Sequence, residues 1–165
     1  MVHASSTIAA LLALAAVVPL QRGQGQDAPR PAFAATGAFM AFSVPDLPAS
    51  TKWYADKLGM SVVLRPQPSG GVAVVVLEGG GLIVELLHNQ AATPLRTVAP
   101  AVTHTTLVHG IFKAGVVVED FDRTLATLRE RGVDIAIGPF PARDGQRANV
   151  IVRDNSGNLI QFFGR

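Results

Sequence analysis

The residue types that carry most protein chemistry are sparse in this chain, and where they occur they stand apart. Cysteine is absent from the 165 residues, which removes disulfides, thiolate metal sites, a thiol nucleophile and a lipid-modified cysteine together. No Ser, His and Asp stand at a nucleophile spacing, no glycine-rich loop is set to cradle a phosphate, and no HExxH run offers two histidines on one helical face. Of the four histidines, His88 and His104 flank a polar connecting stretch and read as solvated. Arg143, Asp144 and Arg147 gather beside Gly145; they read first as a solvated hairpin tip and second as a loop gating a substrate. Any chemistry must therefore be assembled by the fold from side chains distant in sequence.

Length and composition favour one compact domain with a sizeable core: 48% of residues are hydrophobic and 16% charged. The formal charge is +2, and its Lys and Arg residues are scattered rather than clustered, which argues against a nucleic-acid partner. Residues 8–20 form an apolar, alanine-rich run, shorter than the roughly 20 residues a membrane helix needs and suited to a signal h-region. The expected signal peptide is residues 1–25, cleaved after Gly25 with small Gly23 and Gly25 at the tested positions, followed by a linker over 26–35. Export then delivers the protein to the periplasm or the medium with no stable membrane anchor. Residues 1–7 hold no Lys or Arg, so a misassigned start or a buried N-terminal helix is the competing reading.

Val44-Pro45-Asp46-Leu47 recurs as Val118-Glu119-Asp120-Phe121, offset by 74 residues, and its surroundings recur with it. In each copy an apolar strand, GAFMAFSV or IFKAGVVV, runs into an Asp able to cap a helix. The first helix, over 47–58, places Leu47, Tyr54 and Leu58 on one side; the second places Phe121, Leu125 and Leu128 on one side. Gly59 and Gly132 close the two helices. Three short strands follow each, over 61–65, 72–77 and 82–87 and then over 133–137, 148–153 and 158–163. The expected fold is α+β: a domain over 36–165 holding module one (37–88), a polar connection (89–109) and module two (110–164), each with the order βαβββ.

VPDLPASTKWYADKLGM and VRDNSGNLIQFF resemble the module start and module end of the vicinal oxygen chelate superfamily, which includes glyoxalases, bleomycin-resistance proteins and extradiol dioxygenases. Asn155 stands where that family usually has Pro. The resemblance implies paired modules whose mixed sheets curl into a cup with helices packed outside, and a ligand or metal held by residues from four strands. Carried over position by position, those residues are Phe39, Glu85, Lys113 and Gln161. Only Glu85 matches a family metal ligand. Phenylalanine cannot bind a metal, a charged ammonium has no lone pair, and an amide oxygen is a weak neutral ligand for a hard ion. His109 shares parity with Lys113, but four residues of strand span about 13 Å, against ligand bonds of about 2 Å.

The altered site implied by the resemblance is one in which the Lys113 ammonium replaces the metal and bridges Glu85 and the Gln161 amide oxygen, because a lone buried carboxylate requires a cation, a proton or a donor. Phe39, Phe162 or Trp53 would supply apolar surface to an anionic or carbonyl-bearing ligand, although Trp53 and Tyr54 read first as helix-to-sheet packing. The expected function is metal-independent binding of a small molecule by an exported member of the family, with no cofactor. Two alternatives stand beside it: a metal-dependent glyoxalase-type lyase or isomerase, or extradiol dioxygenase; and a pocketless structural or interaction module. Catalysis is left open, as is the choice between a monomer and a swapped homodimer.

Overall fold

The structure, a computed structural model, describes residue 32 and residues 37–165. The expected signal peptide, and all but one residue of the linker, lie outside the described residues. Module one runs β1 (Phe39–Ser43), α1 (Leu47–Leu58), β2 (Ser61–Leu64), β3 (Val72–Gly79) and β4 (Leu82–Asn89). Module two runs β5 (Ala114–Val118), α3 (Phe121–Glu130), β6 (Asp134–Phe140), β7 (Asn149–Arg153) and β8 (Leu159–Gly164). The connection is not wholly irregular. It holds a one-turn helix, α2 (Leu95–Val98), and a short 3-10 turn over Thr105–Leu107.

The repeat in sequence is a repeat in topology. Each module forms a four-strand mixed sheet, β1-β4-β3-β2 and β5-β8-β7-β6, with its first and last strands parallel and the other pairs antiparallel. The helices start where the sequence requires: Asp46 Oδ1 accepts the Ala49 N–H at 2.9 Å, and Asp120 Oδ1 accepts the Arg123 N–H at 2.9 Å. Gly59 closes α1 with φ 71°, a conformation that costs an L side chain but not glycine.

Strand alternation divides each sheet into two faces. One face packs beneath the helices and carries Val75, Leu77, Val84, Leu86, Val150, Val152, Ile160 and Phe162 in a shared core with Tyr54, Leu125 and Leu128. Glu85 and Gln161 alternate with those core residues and so belong to the opposite, helix-free faces.

The modules are tied together on the helix side. Tyr54 donates its hydroxyl to Asp154 at 3.0 Å, and Ser50 meets Ser156 at 3.0 Å. Asn155, the departure from the family's usual Pro, has a use here: its Nδ2 donates to Ser50 Oγ at 3.2 Å. Lys57 Nζ donates to the Arg131 carbonyl while Arg131 Nη1 donates to the Lys57 carbonyl. Positions 57 and 131 are separated by the same 74 residues that separate Val44 from Val118. Two equivalent helix ends therefore grip each other reciprocally, each cation facing the negative end of the other helix.

Candidate functional site

The register of the two sheets gives the neighbours of the central polar residues. Glu85 on β4 stands between Ala41 on β1 and Val76 on β3. Gln161 on β8 stands between Gly115 on β5 and Ile151 on β7. Both rows have one composition: a small residue, a polar residue and a β-branched residue.

Gln161 is 2% exposed, and its amide is oriented by a directional chain. Asn149 Nδ2 donates to the Arg147 carbonyl at 3.1 Å, which leaves Asn149 Oδ1 as the acceptor for Gln161 Nε2 at 2.9 Å. Reversing the Gln161 amide would set oxygen against oxygen, and reversing Asn149 to relieve that would forfeit its bond to Arg147. Gln161 Oε1 is consequently the free end, and it is a buried oxygen with no hydrogen-bond partner. Buried polar atoms are nearly always satisfied, and an unmet acceptor costs about 1–3 kcal/mol.

The remaining positions have other surroundings. Glu85 is half-buried on the helix-free face of sheet one and forms none of the ion pairs found among the described residues. Phe39 opens β1 opposite Ile83, one step along from the Glu85 row, and is 66% exposed. His109 is exposed in the connection.

The bridging role expected of Lys113 is not what the structure shows. β5 begins at Ala114, so Lys113 lies before the ladder that would hold its side chain in line with Gln161. Its ammonium sits 5.5 Å from the centroid of the Phe112 ring, within cation–π range. Burial lowers its pKa from the ordinary lysine value, and no ion pair joins it to Glu85 among the described residues. Gln161 Oε1 receives nothing from it. Phe162 is corrected too: it packs in the helix-side core because it alternates with Gln161, whereas Trp53, on α1, packs against that core in line with its first reading.

Sequence reasoning missed Ala41, Gly115 and Asn149. Parity assigns residues to a face, but which residue stands opposite which is a matter of register, and register was not readable from the strands alone. An open cleft of about 540 Å³ is lined by Glu119, Phe121, Arg143, Arg147 and Arg165 among others, and includes neither Glu85 nor Gln161. Arg165 there pairs with Glu119 at 2.5 Å. Among the described residues, no three His, Cys, Asp or Glu side chains gather closely enough to hold a metal ion.

The fold just described is shared with solved structures. One is a glyoxylase/bleomycin resistance protein/dioxygenase domain from Frankia sp. EAN1pec, at TM-score 0.63 and 17% identity, covering 80% of this chain and 93% of that one. A second is TnmS3, an antibiotic binding protein from Streptomyces sp. CB03234, at TM-score 0.53 and 20% identity, covering 80% and 98%. A third is a glyoxalase I mutant from Zea mays, at TM-score 0.54 and 17% identity, covering 78% of this chain and 44% of that one. At such identities the likeness concerns the fold alone. No curated protein sequence matches the chain. The sequence profile of the Glyoxalase/Bleomycin resistance protein/Dioxygenase superfamily, however, matches residues 38–162, and the chain belongs to that superfamily.

Proposed function

We propose that this is an exported protein that binds a small molecule at the helix-free sheet faces of its two modules, without a metal ion. The observation that carries the reading is the unmet Gln161 Oε1: a buried acceptor held in place by Asn149, beside a residue with no side chain. A folded protein that maintains such an oxygen gains from a ligand that supplies the missing donor. TnmS3, named as an antibiotic binding protein, shows the same fold, and this supports binding as a use for it.

The family's divalent metal does not fit the residues present. Its four positions hold one carboxylate, one neutral amide oxygen, a phenyl ring and an ammonium, and a divalent ion favours several anionic or imidazole ligands. That donor set argues against the metal-dependent lyase, isomerase or dioxygenase reading.

Two measurements on the full chain test the proposal. Protein purified without chelator is expected to carry metal well below one ion per chain; stoichiometric zinc, nickel, manganese or iron overturns metal independence. In a thermal-shift screen of small aromatic and heterocyclic compounds, at least one is expected to stabilise the wild type. The Gln161→Leu variant should lose about tenfold in affinity for it, the worth of one good hydrogen bond. Without ligand, Gln161→Leu should unfold within about 1 kcal/mol of wild type, because it also removes the unmet oxygen. Binding that survives the substitution unchanged refutes the site. For export, the mass of protein recovered from the periplasm or medium should correspond to a chain beginning at Gln26; a full-length mass there refutes the cleavage.

A further inference from the structure

We propose that this site selects ligands that present hydrogen-bond donors, such as an amidinium or an N–H-rich ring, and that Gly115 is the opening through which the donor reaches Gln161. The inference rests on the reading above and adds the class of ligand and the residue that admits it.

Polarity follows from which atoms are already spoken for. The Gln161 amide has a nitrogen with two protons and one acceptor oxygen; one proton is given to Asn149 Oδ1, while the oxygen has no partner at all. Asn149 in turn is held by its bond to the Arg147 carbonyl. The oxygen is the atom left wholly unmet. The equivalent residue of module one, Glu85, carries a carboxylate and pairs with no cation among the described residues. Lys113, the positive counterpart that the resemblance implies, has its ammonium over the Phe112 ring. The central residues of both rows therefore offer acceptors. A carboxylate or carbonyl ligand would place oxygen against oxygen there; an N–H group would complete the bonding.

Access follows from Gly115. It stands directly opposite Gln161, so the two share a face. A Cβ built at Gly115 would meet only the Gln161 carbonyl oxygen, at 3.9 Å. The volume beside Gln161 that a side chain would occupy is thus vacant, while Ile151 closes the other side at 1% exposure. Gly115 has no positive φ, so nothing in its backbone demands glycine. A valine there suits a strand and fills the opening.

The test uses benzamidine and benzoate, which share a ring and a size but offer only donors and only acceptors respectively. The full chain is labelled with ¹⁵N, and the Gln161 side-chain amide signal is assigned by its loss in Gln161→Leu. Benzamidine is expected to shift that signal and to bind at least about tenfold more tightly than benzoate, a difference of about 1.4 kcal/mol. Gly115→Val should abolish the response while the remaining spectrum stays that of a folded protein; Gly115→Ala should weaken it partially. Benzoate binding as tightly as benzamidine, with the response still lost in Gln161→Leu, overturns donor selection and leaves the binding site standing. A benzamidine response unchanged in Gly115→Val overturns the opening. No response to either probe, with the acceptor filled by a trapped water, overturns this inference; if the thermal-shift screen is also blank, the binding reading falls with it.

Discussion

Asp154→Ala is expected to destabilise the protein by about 3 kcal/mol and to lower its melting temperature by about 10 °C. Asp154 is 4% exposed and accepts four hydrogen bonds: from the Tyr54 hydroxyl at 3.0 Å, the backbone N–H of Ser156 at 2.9 Å, and the N–H and Nδ2 of Asn158 at 2.8 Å each. Removing the carboxylate strands a fully buried phenol and undoes the turn between β7 and β8 in one step. Because Tyr54 belongs to module one and Asp154 to module two, the loss falls on the joint between modules. Chemical denaturation at neutral pH measures it. A cost below about 1 kcal/mol would mean that water reaches the stranded donors and that the joint is held elsewhere.

Tyr54 is expected to keep its proton in the folded protein far above pH 10. Burial raises its pKa first, the neighbouring charge of Asp154 second, and the hydrogen bond to Asp154 third. An unfolded chain releases this proton near pH 10, while the folded chain retains it. The resulting stability is complete below pH 10 and declines as pH rises above it, by about 1.4 kcal/mol per pH unit. Tyr54 is the single tyrosine and Trp53 the single tryptophan, so each spectroscopic signal has one source. Tyrosinate absorbance should appear only together with the fluorescence change of unfolding, and in Tyr54→Phe the alkaline loss of stability should be shallower. Tyrosinate forming near pH 10 in a protein still folded would show that the hydroxyl is open to solvent.

Much of the fold is legible in the sequence. The repeat of Val-x-Asp, an Asp able to cap each helix and a glycine behind each one are local signals, and each acts within a few residues of itself. Tyr54 and Leu128 read as sheet-facing because helical periodicity places each with the apolar stripe of its helix. The family's site positions were legible as places but not as a site. Lys113 was assigned to a strand that starts one residue later, and a shift of one residue at a strand end decides whether a side chain is held by the ladder or free to find the nearest ring. Phe162 alternates with Gln161, so strand parity alone sets it on the core face and not on the wall of a pocket around Gln161.

The sequence by itself determined the two βαβββ modules, their caps and their buried faces, because these depend on interactions between residues close along the chain. Only the tertiary structure decided that Gln161, not Lys113, holds the unsatisfied group, and that Gly115 stands beside it. It also joined Tyr54 to Asp154 and Lys57 to Arg131 across the repeat. Register between strands and contact between modules depend on how separate segments meet, and hydrogen-bond direction in the Arg147, Asn149 and Gln161 chain is set only once all three are in place.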